Sequence, residues 1–200
     1  METIRGKTSH TLDLDGLNQR LAKCKHVILD LGTGDGRYVR YLAESHPDWF
    51  VIGLDACRDN LHEHSRAKLP NMLFVIANAQ ELPYELESLV SHITINFPWG
   101  SLLEGLLTCD PGLMNGLSSI SQPNAQMAIH LNSGALAEAG TNLGAGANLV
   151  YENMNRYGWN LKHPCPMDRH VLRNFPTSWA RRLAYGRDPR AMSLSGILSK

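Results

Sequence analysis

This 200-residue sequence predicts an α/β fold built on a mainly parallel, doubly wound sheet. Three observations carry that expectation. Short apolar, β-branched runs alternate with stretches of helical spacing. The first run feeds directly into a glycine-rich turn. The chain is long enough for one sizeable core with a small elaboration, and too short for several domains.

In chain order, residues 3–14 read as a small hairpin or strand and residues 15–22 as a helix. His26-Val27-Ile28-Leu29-Asp30-Leu31 is a buried strand that runs into Gly32-Thr33-Gly34-Asp35-Gly36. Residues 37–44 place Tyr38, Val39, Tyr41 and Leu42 at mixed three- and four-residue spacing before His46-Pro47-Asp48, which marks a short helix and its stop. A second strand follows at 50–55, a helix at 60–69 ended by Pro70, and a third strand at 72–77, giving βαβαβ. Residues 91–97 supply a fourth strand and 126–131 a fifth. The Gly-, Ala- and Asn-rich stretch 132–149 reads as a loop region with one short helix. Helices at 167–173 and 178–184 and a final strand at 192–198 complete the chain, with no internal repeat or second full domain.

Charge is balanced overall, with 19 basic and 19 acidic residues, but the balance is a cancellation. Residues 1–150 carry −6 and residues 151–200 carry +6, and no Lys or Arg occurs between Lys68 and Arg156. Formally positive contacts to phosphate must therefore come from outside that run. The four cysteines are widely spaced and form no CxxC pair; no basic-then-apolar leader and no apolar stretch of about 20 residues is present, so a reduced, cytoplasmic chain without a membrane segment is expected. His62 and His64 lie two apart, and neither HExxH nor Cys/His ligand spacing occurs, so no metal is expected. A GxSxG elbow and a GxxxxGK[ST] phosphate loop are both missing, which removes the usual hydrolase and nucleotidase chemistry.

The turn Asp30 to Gly36, between strand and helix, has the form of a nucleotide-binding turn in which glycines admit close backbone approach. Asp55 ends the next strand, where a carboxylate can accept two ribose hydroxyls. Asp30 and Asp35 would repel a pyrophosphate but suit an ammonium, which favours S-adenosylmethionine over a dinucleotide or ATP. The plainer alternative is a set of turn and cap residues. Asn78-Ala79-Gln80, after the third strand, is placed to meet an adenine edge or to act as an amide cap. Asn96-Phe97-Pro98-Trp99-Gly100 ends the fourth strand, at the sheet end where such folds bind ligands. Trp99 can stack on a flat base or serve as a core tryptophan. The segment 176–190 interleaves Trp179 and Tyr185 with Arg181, Arg182, Arg187 and Arg190, a combination that suits RNA or a basic surface helix with an inward Trp. Arg58, Arg66 and Lys68 form a second, weaker basic patch.

At four places the sequence resembles the aminoglycoside-resistance 16S ribosomal RNA methyltransferases that modify adenine N1 in the decoding site. These are Asp30 to Arg37; Phe74-Val75-Ile76-Ala77 with Leu82-Pro83; Phe97-Pro98-Trp99-Gly100 with Leu102-Leu103-Glu104; and Trp179-Ala180-Arg181-Arg182-Leu183-Ala184-Tyr185-Gly186-Arg187. The resemblance implies a Rossmann-like class I S-adenosylmethionine-dependent methyltransferase with a seven-stranded sheet. It also implies a single domain over 1–200, with an N-terminal hairpin at about 1–14 and RNA-facing insertions at about 100–125 and 132–190. Trp99 and Trp179 would sandwich the flipped adenine, aided by Phe97 and Pro98. Asp30, Gly32, Thr33, Gly34, Asp55, Ala79, Gln80 and Asn96 would hold the cofactor, and Arg58, Arg66, Lys68, Arg181, Arg182, Arg187 and Arg190 would meet 16S rRNA in the 30S subunit. A monomer is expected. The sequence departs from the family in carrying only Arg66 and Lys68 where a lysine-rich stretch is usual, and Gln80 in place of an acid. A methyltransferase for another RNA or heterocyclic nitrogen, or a cofactor-binding RNA-binding protein with weakened catalysis, remain the alternatives at this point.

Overall fold

The computed structural model describes residues 1–199, and Lys200 lies outside the described residues. A hairpin of β1 (Glu2–Arg5) and β2 (Thr8–Thr11) precedes α1 (Leu14–Leu21) and β3 (His26–Leu31). Then come α2 (Arg37–Ser45), β4 (Trp49–Asp55), β5 (Met72–Ile76), β6 (Val90–Asn96), α3 (Gly100–Thr108), α4 (Pro111–Ile120) and β7 (Ser121–Asn132). The last third comprises α5 (Ser133–Glu138), α6 (Leu143–Arg156), β8 (Trp159–Leu161), β9 (Cys165–Pro166), α7 (Arg169–Asn174), α8 (Ser178–Tyr185) and β10 (Ala191–Leu198).

The sheet runs β2-β1-β5-β4-β3-β6-β7-β10-β8, with β9 pairing β10. Strands β5, β4, β3, β6 and β7 run parallel to one another, while β1 is antiparallel to β5 and β10 is antiparallel to both β7 and β8. The seven-stranded body expected from the sequence is the stretch from β5 to β8; the hairpin extends its edge through Thr3 opposite Val75. Strand order reverses between β3 and β6, and such a switch point opens a crevice at the carboxyl ends of the strands.

Alternation along the strands explains why both faces are covered. Leu29, Leu31, Ile52, Leu54 and Val75 join the larger core with side chains from α3, α4 and α6, whereas Ile28, Val51 and Phe74 join Val39 and Leu42 of α2 on the other face. Leu102, Leu103, Leu106, Leu113, Met114 and Leu117 are buried in the larger core. Most of the segment expected to form an insertion at 100–125 is therefore the helical cover of the sheet itself. A third, smaller cluster of Phe97, Leu172, Ala180, Ala184 and Ala191 seats α7 and α8 on the sheet.

Two expected elements differ. Residues 60–69 form two 3-10 turns, Arg58–His62 and His64–Arg66, instead of one helix. Only Leu61 and Ser65 are buried within them, and the Ser65 hydroxyl accepts the Gly6 N–H at 2.9 Å, so the segment lacks the apolar stripe that stabilises an α-helix. Conversely, 132–149 carries α5 and the first half of α6 rather than a loop with one helix. Asn132 and Asn142 cap these helices by accepting the N–H groups of Ala135 and Ala145, and the small residues between them permit close packing. A Cβ at Gly146 would come within 2.5 Å of Leu136.

The turn after β3 depends on glycine for a comparable reason. Gly36 precedes α2 at φ +77°, and a Cβ there would lie 2.4 Å from the Phe74 ring. Overpacking costs about 1–3 kcal/mol and a left-handed non-glycine residue about 1–2 kcal/mol. Gly36→Ala is therefore expected to lower thermal stability by roughly 10 °C in a calorimetric scan, at about 2–4 °C per kcal/mol for a domain of this size.

Candidate functional site

The carboxyl ends of β3, β4, β5 and β6 open onto a cleft of ≈ 560 Å³, a size suited to a nucleoside-sized ligand. Its floor is the turn after β3. Gly32 and Thr33 donate their N–H groups to the Leu54 carbonyl at 2.8 and 3.1 Å, and Gly34 donates to Asp55 Oδ2 at 2.8 Å. Asp55 Oδ1 in turn accepts the Cys57 N–H at 2.8 Å. The Asn60 amide also donates to Oδ1, at 3.4 Å, so one carboxylate ties the turn to the end of β4 and keeps a spare lone pair on Oδ2 for a ligand. Gly34 has φ +57°, and a Cβ at that position would meet no atom within 4 Å, so bare backbone faces open space.

Beneath the turn, Asp30 is buried, and its Oδ1 accepts hydrogen bonds from Thr94 Oγ1 and Asn96 Nδ2, each at 2.8 Å. Burial raises its carboxyl to about 6, against the opposing effect of those donors. Asn96 Oδ1 accepts from His130 Nδ1 at 2.8 Å, a donor role that follows because the Asn96 amide nitrogen is committed to Asp30. Burial pushes His130 down to about 4, which keeps its ring neutral at physiological pH. The resulting chain, Asp30 to Asn96 to His130, bridges β3, β6 and β7 across the switch point.

Above the cleft stand the two tryptophans. Trp99 and Trp179 are 40% and 42% exposed, and their rings stack at 5.5 Å between centroids with planes 17° apart. Neither is a core tryptophan. Trp99 Nε1 donates to Glu138 of α5 at 3.2 Å, and the Arg182 guanidinium lies 5.4 Å from the Trp179 ring. Phe97 and Pro98 are buried below, Phe97 at φ +53° with its N–H held by the His130 carbonyl at 2.8 Å. A flat base needs about 3.5 Å on each side. The tryptophans must therefore separate by at least about 1.5 Å to admit one between them.

The structure brings Asp30, Gly32, Thr33, Gly34, Asp55, Ala79, Asn96, Phe97, Pro98, Trp99, Trp179 and Arg182 around one cleft. Gln80 is not on its wall: its backbone N–H and its side chain bond to Asn78, and Asn78 is the amide that lines the cleft. Arg190 is engaged elsewhere. Its guanidinium grips Asp188 at 2.7 and 2.8 Å and Ser133 at 3.2 Å, which also holds the Asp188 carboxyl well below the usual carboxylate range. Arg187 is exposed, and Arg181 borders a second cleft with Arg37, Arg40 and His64. Arg58 reaches Lys7 O and Ser9 on the N-terminal hairpin, Arg66 lies against Gly6, and Lys68 is exposed nearby. Sequence reasoning passed over Glu138, His130 and Ser178. Asn78 was expected from its position after a parallel strand, whereas these three are assembled by tertiary pairing.

The family model of NpmA, a 16S rRNA (adenine(1408)-N(1))-methyltransferase, matches residues 2–198. The chain belongs to this family. It is 30% identical to the 16S rRNA (adenine(1408)-N(1))-methyltransferase of Escherichia coli over the full length of both chains. Identity to the enzyme of the same name from Streptoalloteichus hindustanus is 31%, covering 94% of each chain. The crystal structure of the 16S rRNA methyltransferase KamB superimposes with a TM-score of 0.89 at 29% identity, covering 100% of both chains. As in other members, the cofactor of this methyltransferase is S-adenosylmethionine, and the cleft fits it. Exposed backbone at Gly34, a carboxylate oxygen with a spare lone pair at Asp55 Oδ2 and a buried acid at Asp30 match a ribose and an ammonium rather than a pyrophosphate. Among the described residues, no helix is long and apolar enough to cross a membrane, and no cluster of three metal-capable side chains occurs.

Proposed function

We propose that this methyltransferase methylates N1 of a flipped adenine, adenine 1408 of 16S rRNA in the assembled 30S subunit, and so confers aminoglycoside resistance. The observation that carries the reading is the half-exposed tryptophan pair poised over the cofactor cleft. When bound, S-adenosylmethionine supplies an electrophilic sulfonium methyl. Adenine N1 already presents a lone pair, so the protein needs to align it and does not need to remove a proton. The new N–C bond forms as the C–S bond breaks, and the adenine leaves as a cation, which favours aromatic faces around it.

Extracting the base from its helix costs a few kcal/mol, and separating Trp99 from Trp179 costs about 0.5–1.5 kcal/mol of ring stacking. Two base–aromatic contacts of about 1–3 kcal/mol each offset both. Phe97 and Pro98 set the height of Trp99, and the backbone carbonyls of this turn are the acceptors offered to the adenine amino group. Asp30 faces the cofactor ammonium, Asp55 the ribose hydroxyls, and Ala79 with Asn78 the cofactor adenine. Arg181, Arg182 and Arg187 approach rRNA phosphates, with Arg58, Arg66 and Lys68 forming an outlying basic patch. The protein acts as a monomer in the cytoplasm, where 30S subunits assemble.

Labelled methyl transfer with intact 30S subunits and protein-free 16S rRNA in parallel tests this reading. Incorporation confined to the subunits supports it. Equal labelling of free RNA points to a different RNA substrate.

Asp30 gives the site a pH dependence with two opposite signs. Because burial raises its carboxyl to about 6, the neutral form stabilises the ligand-free fold at acid pH, below the ordinary aspartate value of 3.8, and that contribution is lost as pH rises through about 6. An ammonium requires the ionised form. Cofactor affinity is therefore expected to fall about tenfold per pH unit below about 6 and to level off above it. Calorimetric titration of the cofactor across that range checks the slope.

A further inference from the structure

The helix that carries Trp179 is tied to the cofactor turn by one hydrogen bond. Ser178, the first residue of α8, donates its hydroxyl to Asp35 Oδ2, a contact spanning 143 positions of sequence. The helix does not need this hydroxyl for its own cap, because Thr177 Oγ1 accepts the Ala180 N–H at 3.0 Å. Asp35 Oδ1 simultaneously accepts the Arg37 N–H at 3.1 Å, at the start of α2. The carboxylate thus joins α2 and α8 while sitting between Gly34 and Gly36 in the cofactor turn. Asp35 and Ser178 both line the main cleft.

Farther along α8, the Ala184 carbonyl accepts from Arg169 Nε at 3.0 Å and the Arg173 guanidinium lies 5.6 Å from the Tyr185 ring, but large apolar contacts are few. The buried residues of the helix are Ala180 and Ala184, and the cluster around them is small. Besides the Trp99–Trp179 stack, the adjoining aromatic support is the stack of Phe175, just before α8, on Tyr38 of α2, at 5.5 Å with planes 10° apart. An element held by few large apolar contacts opens at low free-energy cost. Trp179 must move to admit a base, so whatever restrains the first turn of α8 governs that motion.

We propose that Asp35 and Ser178 form a clasp coupling cofactor occupancy to the order of the base-stacking helix. A ligand that fixes the turn restrains Asp35, Asp35 restrains Ser178, and the incoming adenine then meets a Trp179 whose ordering cost has already been met by the first ligand. Ser178 is a positioning residue acting through Trp179. By linkage, the flipped base strengthens cofactor binding by the same factor. This inference rests on reading the cleft as the S-adenosylmethionine site.

Backbone hydrogen exchange over residues 176–187 tests the clasp in the full chain, with and without saturating S-adenosylhomocysteine. In the parent protein the ligand should slow exchange in α8 by about fivefold or more, the lower end of ordinary coupling. In Ser178→Ala the ligand-induced slowing should shrink to less than about twofold, and Ser178→Thr, which keeps the hydroxyl, should restore it. A purely structural role would speed exchange equally with and without ligand and leave their ratio unchanged in Ser178→Ala. That result, or no slowing in the parent, overturns the proposal. Methyl transfer to 30S subunits by the parent is measured alongside. Its absence contradicts the substrate reading and leaves the exchange result standing.

Discussion

Trp179→Ala is expected to lower kcat/KM for methylation of 30S subunits by roughly 5- to 150-fold, the equivalent of one base–aromatic stack of about 1–3 kcal/mol. The ring is 42% exposed and contributes little to the core, so the loss should appear in activity with the fold intact. Cofactor affinity should stay near that of the parent, because the carboxylates at the bottom of the cleft are untouched. Trp179→Phe retains an aromatic face and should recover much of the rate. Trp99→Ala should be affected similarly, and it also removes the donor to Glu138 that links the ring to α5. Single-turnover assays with a separate cofactor titration distinguish these effects, and unchanged turnover in both alanine variants would remove the tryptophans from the mechanism.

Asp30→Asn should weaken S-adenosylmethionine binding by about 100-fold, near the upper end of hydrogen bonds to charged groups at about 3 kcal/mol. The substitution isolates charge from geometry. Thr94 and Asn96 both donate to Oδ1, and an asparagine can keep that oxygen in place. The buried carboxyl that resists ionisation in the ligand-free protein is absent from the variant, so the acid-side fall in affinity should flatten as well. A variant that binds as tightly as the parent would place the ammonium elsewhere.

The parallel strands were legible because both faces are buried, and His26–Leu31 and Trp49–Asp55 consequently read as almost unbroken apolar runs. The position of the turn after β3 and of Trp99 after β6 then followed from the rule that ligands collect at the carboxyl ends of such strands. What stayed hidden depended on residues distant in sequence. Small residues in 132–149 suggested a loop, yet Gly146 is small because Leu136 packs against it. Gln80 seemed placed for the cofactor, but it turns aside beside Asn78 while α4 approaches its carbonyl; a Cβ at Gly112 would lie 2.8 Å from that oxygen. Arg190 read as an RNA contact although Asp188 stands two residues before it, and its second partner, Ser133, is brought up only when β10 closes against β7. The same dependence applies to charge. The +6 of the last fifty residues reaches the cleft edge through Arg182, whereas Arg190 is paired with Asp188 on the surface.

The central claim is that this chain places one adenine N1 of the 30S subunit between Trp99 and Trp179 for methylation. Its most direct test is the identity of the modified nucleotide after reaction of purified 30S subunits with enzyme and S-adenosylmethionine, mapped by reverse transcription and confirmed by mass spectrometry of the 16S rRNA. The expected result is one N1-methyladenosine at position 1408. A methyl group on another base, on another atom of that adenine, or on no nucleotide of the subunit would contradict the claim.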